Sequence, residues 1–316
     1  MITDIALVFG GLLLLLFGGE ALVRGAVAVA RRLGLSELVI GLTLVGAMTS
    51  APELMVSVSA ALEGAPDMAL GNVVGSNIAN LLLVVAAGAL VRPLVVSRPL
   101  LLHDGVINFV AAALLAGLAV HADIGRWQGI ALLVCLLWYL WRTYVREKST
   151  RRQSVHEKEA RDLEQPALPL VPALLATIGG VAALVIGAAI LVKGGTGLAR
   201  AFGVSEAVIG LSLLAVGTSL PELVTSVVAA WRGHTQVALG NAIGSCIFNS
   251  LGIVGVAAML TPLPVAPELA GRDVWVMVAV SAVVPLGMAF ASRVGRGMAL
   301  VFLLGYGGYM AVIFSS

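Results

Sequence analysis

Apolar residues come in blocks of about 20 or more along most of the chain, and short clusters of charged and turn-forming residues separate these blocks. A helix rises about 1.5 Å per residue, so one block is long enough to cross a hydrocarbon core about 30 Å thick. Strands of a membrane barrel would be about half as long and would alternate apolar and polar positions. The pattern predicts an all-α membrane protein with ten transmembrane helices, at residues 4–30, 37–62, 67–91, 100–120, 126–144, 170–198, 205–231, 236–260, 273–291 and 296–314.

The polar stretch from Arg142 to Gln165 divides these spans into two groups of five and carries seven Lys or Arg and five Asp or Glu residues. We expect a first five-helix repeat at 1–145, a cytoplasmic connector at 146–168 and a second repeat at 169–316. With the connector inside, 15 of the 19 Lys and Arg residues lie on the cytoplasmic side, in agreement with the positive-inside rule. Five helices before an inside loop place both termini outside. Because five is odd, the second repeat is inverted relative to the first.

The two groups share a duplicated segment. Residues Gly41 to Asn80 align without a gap on Gly210 to Asn249, at a constant offset of 169, and 21 of the 40 positions are identical. Duplication followed by inversion is typical of secondary transporters, whose substrate site lies near the middle of the membrane where the two repeats meet. The duplicated segments are therefore where we expect the functional site.

Each duplicated segment contains a proline that should break its helix. Pro52 has no N–H to offer the carbonyl of Met48, and its ring crowds that carbonyl, so we expect the helix to kink or open one turn earlier. Thr49 and Ser50 bring hydroxyl groups to this break, and Glu53 brings a carboxylate into mid-membrane, where an unpartnered charge is unfavourable. The second segment repeats these residue types as Thr218, Ser219, Pro221 and Glu222.

Inversion of one repeat would bring Glu53 and Glu222 face to face at a shared cation site. Carboxylates, hydroxyls, amides and freed carbonyls make an all-oxygen site, which suits Ca²⁺, Na⁺ or Mg²⁺, whereas zinc and copper favour His and Cys. In the next helix, polar side chains spaced i, i+4 and i+8 form a stripe along one face. The stripe consists of Asn72, Ser76 and Asn80 in the first repeat and of Asn241, Ser245 and Asn249 in the second.

Composition narrows the class of protein further. Apolar residues make up 59% of the 316 residues and charged residues only 11%, whereas soluble domains are about 25% charged. A net charge of +2 is too small to indicate a nucleic-acid partner, and two cysteines inside apolar blocks do not indicate a structural disulfide. We expect the bilayer and the transported ions as partners, no cofactor, no enzymatic activity, and function as a monomer.

These features resemble the α-repeats of the cation/Ca²⁺ exchanger superfamily, especially the prokaryotic sodium/calcium exchangers. The resemblance covers essentially the whole chain and is carried by the paired motifs GTSLPE and GN-x-x-GSN-x-x-N. It implies two inverted five-helix repeats with broken helices, and a cation site with the two acids at its centre. The implied ligands are Glu53, Glu222, Asn80, Asn249, Thr49, Ser50, Thr218, Ser219, Ser76 and Ser245, with main-chain carbonyl ligands near Gly46 and Ala215.

The sequence departs from the family pattern at two places. Met48 stands where the family usually has a glycine immediately before Thr-Ser, and the second copy keeps that glycine as Gly217. Asn80 and Asn249 are both amides, whereas many sodium/calcium exchangers have an Asp at one of these positions. The two glutamates are then the only charges that the motifs supply, which affects the expected ion stoichiometry.

The duplicated carboxylates and the resemblance together predict a secondary antiporter that exports Ca²⁺ in exchange for Na⁺ entry by alternating access, in a bacterial inner or plasma membrane. An antiporter of Ca²⁺, or another divalent cation, and H⁺ is the alternative, because a buried glutamate is also a good proton carrier. An intramembrane hydrolase would need a Ser/His or Asp/Asp constellation, which the mid-membrane segments lack. A passive channel would not need broken, inverted helices.

Overall fold

The protein is described by a computed structural model that covers residues 1–98, 100–121, 123–158, 168–202 and 217–315. Helices account for nearly all of these residues. The first part of the chain forms α1 (Ile2–Leu33), α2 (Glu37–Ile40), α3 (Gly46–Thr49), α4 (Ala51–Leu62), α5 (Pro66–Ala79), α6 (Val85–Val91), β1 (Leu94–Val95), α7 (Val106–Val120), β2 (Asp123–Ile124) and α8 (Arg126–Lys158). The second part forms α9 (Leu170–Ala201), α10 (Leu220–Arg232), α11 (Thr235–Ile247), α12 (Val254–Leu260), β3 (Leu263–Pro264), α13 (Val274–Ala291), β4 (Arg293–Val294) and α14 (Arg296–Ser315).

Eight helices within the described ranges are long and apolar enough to cross a membrane, and a bent pair, Glu37–Thr49 with Ala51–Leu62, makes nine. These agree in position with nine of the ten expected spans. The remaining expected span, 205–231, begins in residues 203–216, which lie outside the described part of the chain, and α10 forms its second portion.

The bent pair breaks at Ser50, where the backbone leaves helical geometry with φ −79° and ψ 7°, and the two pieces meet at an angle of 44°. Pro52 lies in the first turn of α4, where a missing N–H is tolerated because first-turn N–H groups have no partner within the helix. This confirms the expected break. Ser219, directly before α10, has the same conformation, with φ −86° and ψ 5°.

Short π-helical turns interrupt the helices at matched places in the two parts of the chain. One turn, Asn80–Val84, joins α5 to α6, and its counterpart Phe248–Ile253 joins α11 to α12. A second pair, Leu100–Gly105 and Leu269–Asp273, precedes α7 and α13. Because a π turn inserts one residue per turn, it redirects the side chains that follow it. These turns therefore change the direction of the buried polar side chains that lie in them.

Helices α1 and α9 pack antiparallel along a seam of glycines that recur every seven residues, so that their backbones are in contact. A Cβ atom at Gly11 would lie 2.8 Å from the carbonyl oxygen of Gly187, and one at Gly18 would lie 2.9 Å from that of Gly180. Small residues permit such close approach in a bilayer, where packing rather than the hydrophobic effect holds helices together. The other seam glycines are Gly25 and Gly194.

The most buried helices are those that carry the polar stripes. Within the spans Pro66–Val91 and Thr235–Leu260, 78% of the membrane-length window is buried inside the protein, against 28% for α1 and α9. The stripes thus lie at the centre of the molecule.

The short strands join the two parts of the chain. Strand β1 pairs antiparallel with β4, with Leu94 opposite Val294, and β2 pairs antiparallel with β3, with Ile124 opposite Leu263. Both pairings cross from one predicted repeat to the other. In the described ranges, each strand therefore pairs with a strand of the other predicted repeat.

Helix α8 continues to Lys158, well beyond the expected end of its span at residue 144. The first part of the expected connector is therefore helical. Near the start of this extension, the Glu147 carboxylate accepts a hydrogen bond of 2.6 Å from the backbone N–H of Ser36, which is the N-cap residue of α2. The extension thus contacts the beginning of the bent helix pair.

Candidate cation site

Glu53 and Glu222 each occupy the third position of a helix, α4 and α10 respectively. Both are fully buried. The N–H groups of a first helical turn lack partners within the helix, so the N-terminus favours negative charge. The helix breaks at Ser50 and Ser219 thus create two helix N-termini inside the protein, each with a carboxylate in its first turn.

The hydroxyl groups at these breaks bond to the carboxylate of the opposite repeat. Ser219 Oγ donates a 3.1 Å hydrogen bond to Glu53 Oε1, and Ser50 Oγ donates a 3.1 Å hydrogen bond to Glu222 Oε1. The two bonds are equivalent under the sequence offset of 169. The four side chains therefore form one reciprocal cluster to which both repeats contribute equally.

Further predicted site residues adjoin this cluster. Ser76 lies 3.3 Å from Ser219 Oγ, and Ser245 lies 3.4 Å from Thr49 Oγ1. The carbonyl oxygen of Gly46 accepts a 3.2 Å bond from Ser245 Oγ. Ala215, the predicted carbonyl counterpart, lies outside the described residues.

Asn80 is the first residue of the π turn that follows α5, and Asn249 is the second residue of the π turn that follows α11. Both are fully buried, and neither their amide nitrogens nor their oxygens have a hydrogen-bond partner. One oxygen of each central carboxylate, Glu53 Oε2 and Glu222 Oε2, is likewise buried without a partner. Leaving a buried polar group unpaired costs about 1–3 kcal/mol. Several such groups around two carboxylates indicate a site for a ligand that supplies the missing interactions.

In the described part of the chain, no cationic side chain pairs with either carboxylate of the cluster. None of the ion pairs in the described ranges includes Glu53 or Glu222. Desolvating an ion costs several kcal/mol even after the protein relaxes, so two buried carboxylates require a bound cation or protons. No cluster of three or more His, Cys, Asp or Glu residues suited to a metal occurs in the described ranges. The remaining oxygen donors are hydroxyls, amides and carbonyls, as hard cations prefer.

Asn72 and Asn241 belong to the stripes but not to the predicted ligand set, and both contact the cluster. Asn241 Nδ2 donates to the backbone carbonyl of Glu222 at 3.1 Å, and Asn72 Nδ2 donates to that of Glu53 at 3.3 Å. Their Oδ1 atoms accept from threonines of the opposite repeat, Thr49 at 2.9 Å and Thr218 at 3.4 Å. Their matched positions in the repeat were the sequence signal that could have identified them.

A cavity of about 620 Å³ adjoins the cluster on one side. Its lining includes Asn72, Ser76 and Thr218 from the cluster together with Asp273 and Tyr309. The other lining residues are mostly apolar and come from α4, α5, the turn before α13, and α14. Polar residues of the cluster therefore form part of the wall of this cavity.

A second pair of carboxylates occupies matched positions outside the central cluster. Asp104 is fully buried, accepts a 3.3 Å bond from Tyr139 and pairs with Arg146 of the α8 extension at 3.2 Å. Its counterpart Asp273 borders the cavity and pairs with the adjacent Arg272 at 3.0 Å. The two acids thus have different cationic partners.

Comparison with known proteins supplies a family. A family model described as "Sodium/calcium exchanger protein" matches residues 3–145 and 172–315. The unmatched residues between these ranges include the expected connector.

Similar proteins share the full length of the chain. "Putative antiporter CaxA" of Alkalimonas amylolytica is 34% identical over 100% of both chains. "Sodium/calcium exchanger MaX1" of Methanosarcina acetivorans is 32% identical over 96% of both. Among solved structures, the sodium-calcium exchanger NCX_Mj is 30% identical, with a TM-score of 0.84 over 98% of both chains.

Proposed function

The chain is a multi-pass integral membrane protein of the sodium/calcium exchanger family, and we propose that it is a secondary antiporter that exports Ca²⁺ in exchange for Na⁺ entry. The observation that carries this proposal is the reciprocal cluster, in which two fully buried glutamates receive hydroxyls from opposite repeats and have no cationic side chain as partner within the described ranges. The similarity to MaX1 and NCX_Mj, which are both named as sodium/calcium exchangers, supports the choice of ions.

We infer that the cation is held by both glutamates and by the oxygens around them. Ca²⁺ takes six to eight oxygen ligands at about 2.3–2.6 Å, so the two carboxylates alone are not enough. The amides of Asn80 and Asn249 are proposed to complete the set because each is buried with an oxygen that has no hydrogen-bond partner. The ligands are Glu53, Glu222, Asn80, Asn249, Thr49, Ser50, Thr218, Ser219, Ser76 and Ser245, with the carbonyls of Gly46 and Ala215.

Coupling follows from the charge of the site. An empty site carries two buried negative charges, which one Ca²⁺ or two Na⁺ ions neutralise. Passage through a closed, water-free state is therefore far easier when the site is occupied than when it is empty. This requirement makes each direction of the cycle depend on a bound ion, which is the condition for exchange by alternating access.

The proposed topology has ten transmembrane helices in two inverted repeats of five. The antiparallel packing of α1 against its sequence counterpart α9 supports the inversion, as do the strand pairings that cross between repeats. The excess of Lys and Arg on the side of the connector supports a cytoplasmic connector with both termini outside. We further propose a bacterial inner or plasma membrane as the location and the monomer as the working unit, because the cluster is completed within one chain.

An antiporter of Ca²⁺ and H⁺ is the second candidate. The observation that favours it is the unpaired Oε2 atom of each buried glutamate, since protonation there would neutralise the site without any Na⁺. The two candidates use the same residues and differ only in the ion that replaces Ca²⁺.

Ca²⁺ uptake into proteoliposomes, with Na⁺ and pH gradients imposed separately, tests the proposal. We expect an outward Na⁺ gradient to drive uptake at equal pH on both sides, and a pH gradient without Na⁺ to drive little. Uptake that follows only the pH gradient would establish the second candidate. A channel would be indicated by Ca²⁺ uptake that is not coupled to either gradient and that shows no counterflow of Ca²⁺.

A further inference from the structure

We propose that Asn72 and Asn241 are positioning residues, each of which orients the threonine hydroxyl of the opposite repeat towards the bound cation. This inference rests on the proposed function. It concerns two residues whose hydrogen bonds, within the described ranges, reach the predicted ligand residues only at a threonine hydroxyl and at the backbone of a glutamate.

A hydroxyl group can ligate a cation only through its oxygen lone pairs, and its single proton must point elsewhere. Thr49 Oγ1 lies 2.9 Å from Asn241 Oδ1, its shortest polar contact. Two carbonyls of its own helix lie at 3.1 and 3.3 Å. Because an amide oxygen cannot donate, a separation of 2.9 Å between two oxygens requires the threonine proton to lie between them. The lone pairs of Thr49 are then left for the ion.

The orientation of each amide is fixed by its other contacts. Asn241 Nδ2 donates to the carbonyl of Glu222 at 3.1 Å and to Ser226 Oγ at 3.0 Å. A backbone carbonyl can only accept, so a flipped amide would place two oxygens against each other. The bond to Glu222 thereby determines which end of Asn241 faces the opposite repeat.

The first repeat contains the same arrangement. Asn72 Nδ2 donates to the carbonyl of Glu53 at 3.3 Å and to Ser57 Oγ at 3.0 Å, and its Oδ1 accepts from Thr218. Every bond has a counterpart at the offset of 169. Each asparagine therefore links the main chain beside one glutamate to a threonine ligand from the other repeat.

The two arrangements differ in exposure and in distance. Asn241 is fully buried, and its bond to Thr49 measures 2.9 Å. Asn72 and Thr218 border the cavity, and their bond measures 3.4 Å. A shorter bond away from solvent is stronger, so we expect the Asn241–Thr49 pair to be the more tightly coupled.

A double-mutant cycle on Ca²⁺ binding tests the inference. Asn241→Ala and Thr49→Val should each weaken Ca²⁺ binding about 10- to 100-fold, the range for losing a residue that orients a metal ligand. Together they should weaken it by about tenfold less than the product of the two single effects, because either change already breaks the same bond. Thr49→Ser keeps the hydroxyl and should bind within about threefold of wild type.

The matched control is the cycle between Asn241→Ala and Thr218→Val, which are not bonded to each other and should combine nearly additively. The cavity-side cycle, Asn72→Ala with Thr218→Val, should show coupling in the same direction but smaller. It does not depend on the fully buried Asn241, so it decides the question if Asn241→Ala fails to fold.

Binding is measured by equilibrium dialysis of the purified full-length chain with Ca²⁺ alone, and elution volume and melting temperature report folding. Additive effects in both partner cycles, with wild-type protein that binds Ca²⁺, would overturn the inference and leave the proposed function standing. Wild-type protein that does not bind Ca²⁺ would overturn both.

Discussion

The two repeats agree closely in the bonds around their glutamates and disagree in what surrounds those bonds. Ser50 with Glu222 and Ser219 with Glu53 form bonds of equal length, 3.1 Å. Of the residues in and beside this centre, Asn72, Ser76 and Thr218 line the cavity, whereas Thr49 is buried. The two repeats thus contribute equally to the bonds of the carboxylates. They do not contribute equally to the wall of the cavity.

This comparison separates two demands on an exchanger. In the proposed mechanism, the ion must meet the same charge and the same oxygens whichever way the site opens, and the matched centre agrees with that demand. Opening on one side at a time requires that the two sides differ in any single state. The unequal surroundings of Thr49 and Thr218 are what such a state requires.

The largest expected effect tests the shared centre. Glu53→Gln and Glu222→Gln each remove one of the two charges that balance the cation. Since an uncompensated buried charge costs about 3–5 kcal/mol, each should reduce Ca²⁺ exchange by at least roughly a hundredfold. Proteoliposome uptake measures the loss, with melting temperature as the control for folding. Near-normal flux in either variant would mean that the site lies elsewhere.

The next effect distinguishes the two outer carboxylates. Asp104→Asn leaves Arg146 beside a fully buried neutral group and should lower stability by about 3 kcal/mol, whereas Asp273→Asn should cost much less because Arg272 reaches solvent. Melting temperatures of the purified variants provide the comparison. Addition of Arg146→Gln should recover part of the loss in Asp104→Asn. Equal falls in melting temperature in the two single variants would contradict the expected difference between the two carboxylates.

A smaller effect concerns the position before Thr-Ser. A Cβ atom added at Gly217 would lie 2.6 Å from a methyl group of Val192, so Gly217→Ala should destabilise by about 1–3 kcal/mol. Met48 already holds a long side chain at the matched position, and Met48→Ala should change stability less. Gly217→Ala combined with Val192→Ala should restore the melting temperature. If it does not, the clash with Val192 is not the cause.

The smallest effect concerns the bond between the α8 extension and Ser36, the N-cap residue of α2. Glu147→Ala removes the acceptor of the Ser36 N–H and should destabilise by about 1 kcal/mol, as for loss of a helix cap. Glu147→Gln keeps an acceptor oxygen and should lose less. A drop in melting temperature that is the same for both would point to the charge rather than to the bond.

The local features of the fold could be predicted from the sequence because their causes are local. A proline such as Pro52 lacks a backbone donor wherever it lies in a helix, so a break close to Ser50 could be predicted. Apolar block lengths likewise located the spans. The apolar span at 126–144 did not indicate how far its helix extends, because Arg, Glu and Lys are good helix formers and α8 continues to Lys158.

The contacts between the repeats could not be predicted in detail. The repeat indicated that Glu53 and Glu222 meet, but not that each accepts a hydroxyl from the other's segment. It also gave no sign that Asp104 pairs with Arg146 of the connector region. Such contacts join residues far apart in the chain, and their partners depend on how helices pack rather than on any spacing in the sequence.

The glycine seam between α1 and α9 bears on how the protein is made. The first helix emerges from the ribosome long before Leu170, where its partner begins, so it must wait in the bilayer with its glycine face uncovered. In lipid there is no hydrophobic driving force that would pair this face with another helix, and this limits premature pairing. Ser219, which bonds to Glu53, is synthesised later still. A chain that ends at the connector would thus expose the glycine face of α1 and would leave the Glu53 carboxylate without the Ser219 hydroxyl. Both features distinguish it from the completed protein and are available for recognition by membrane quality control.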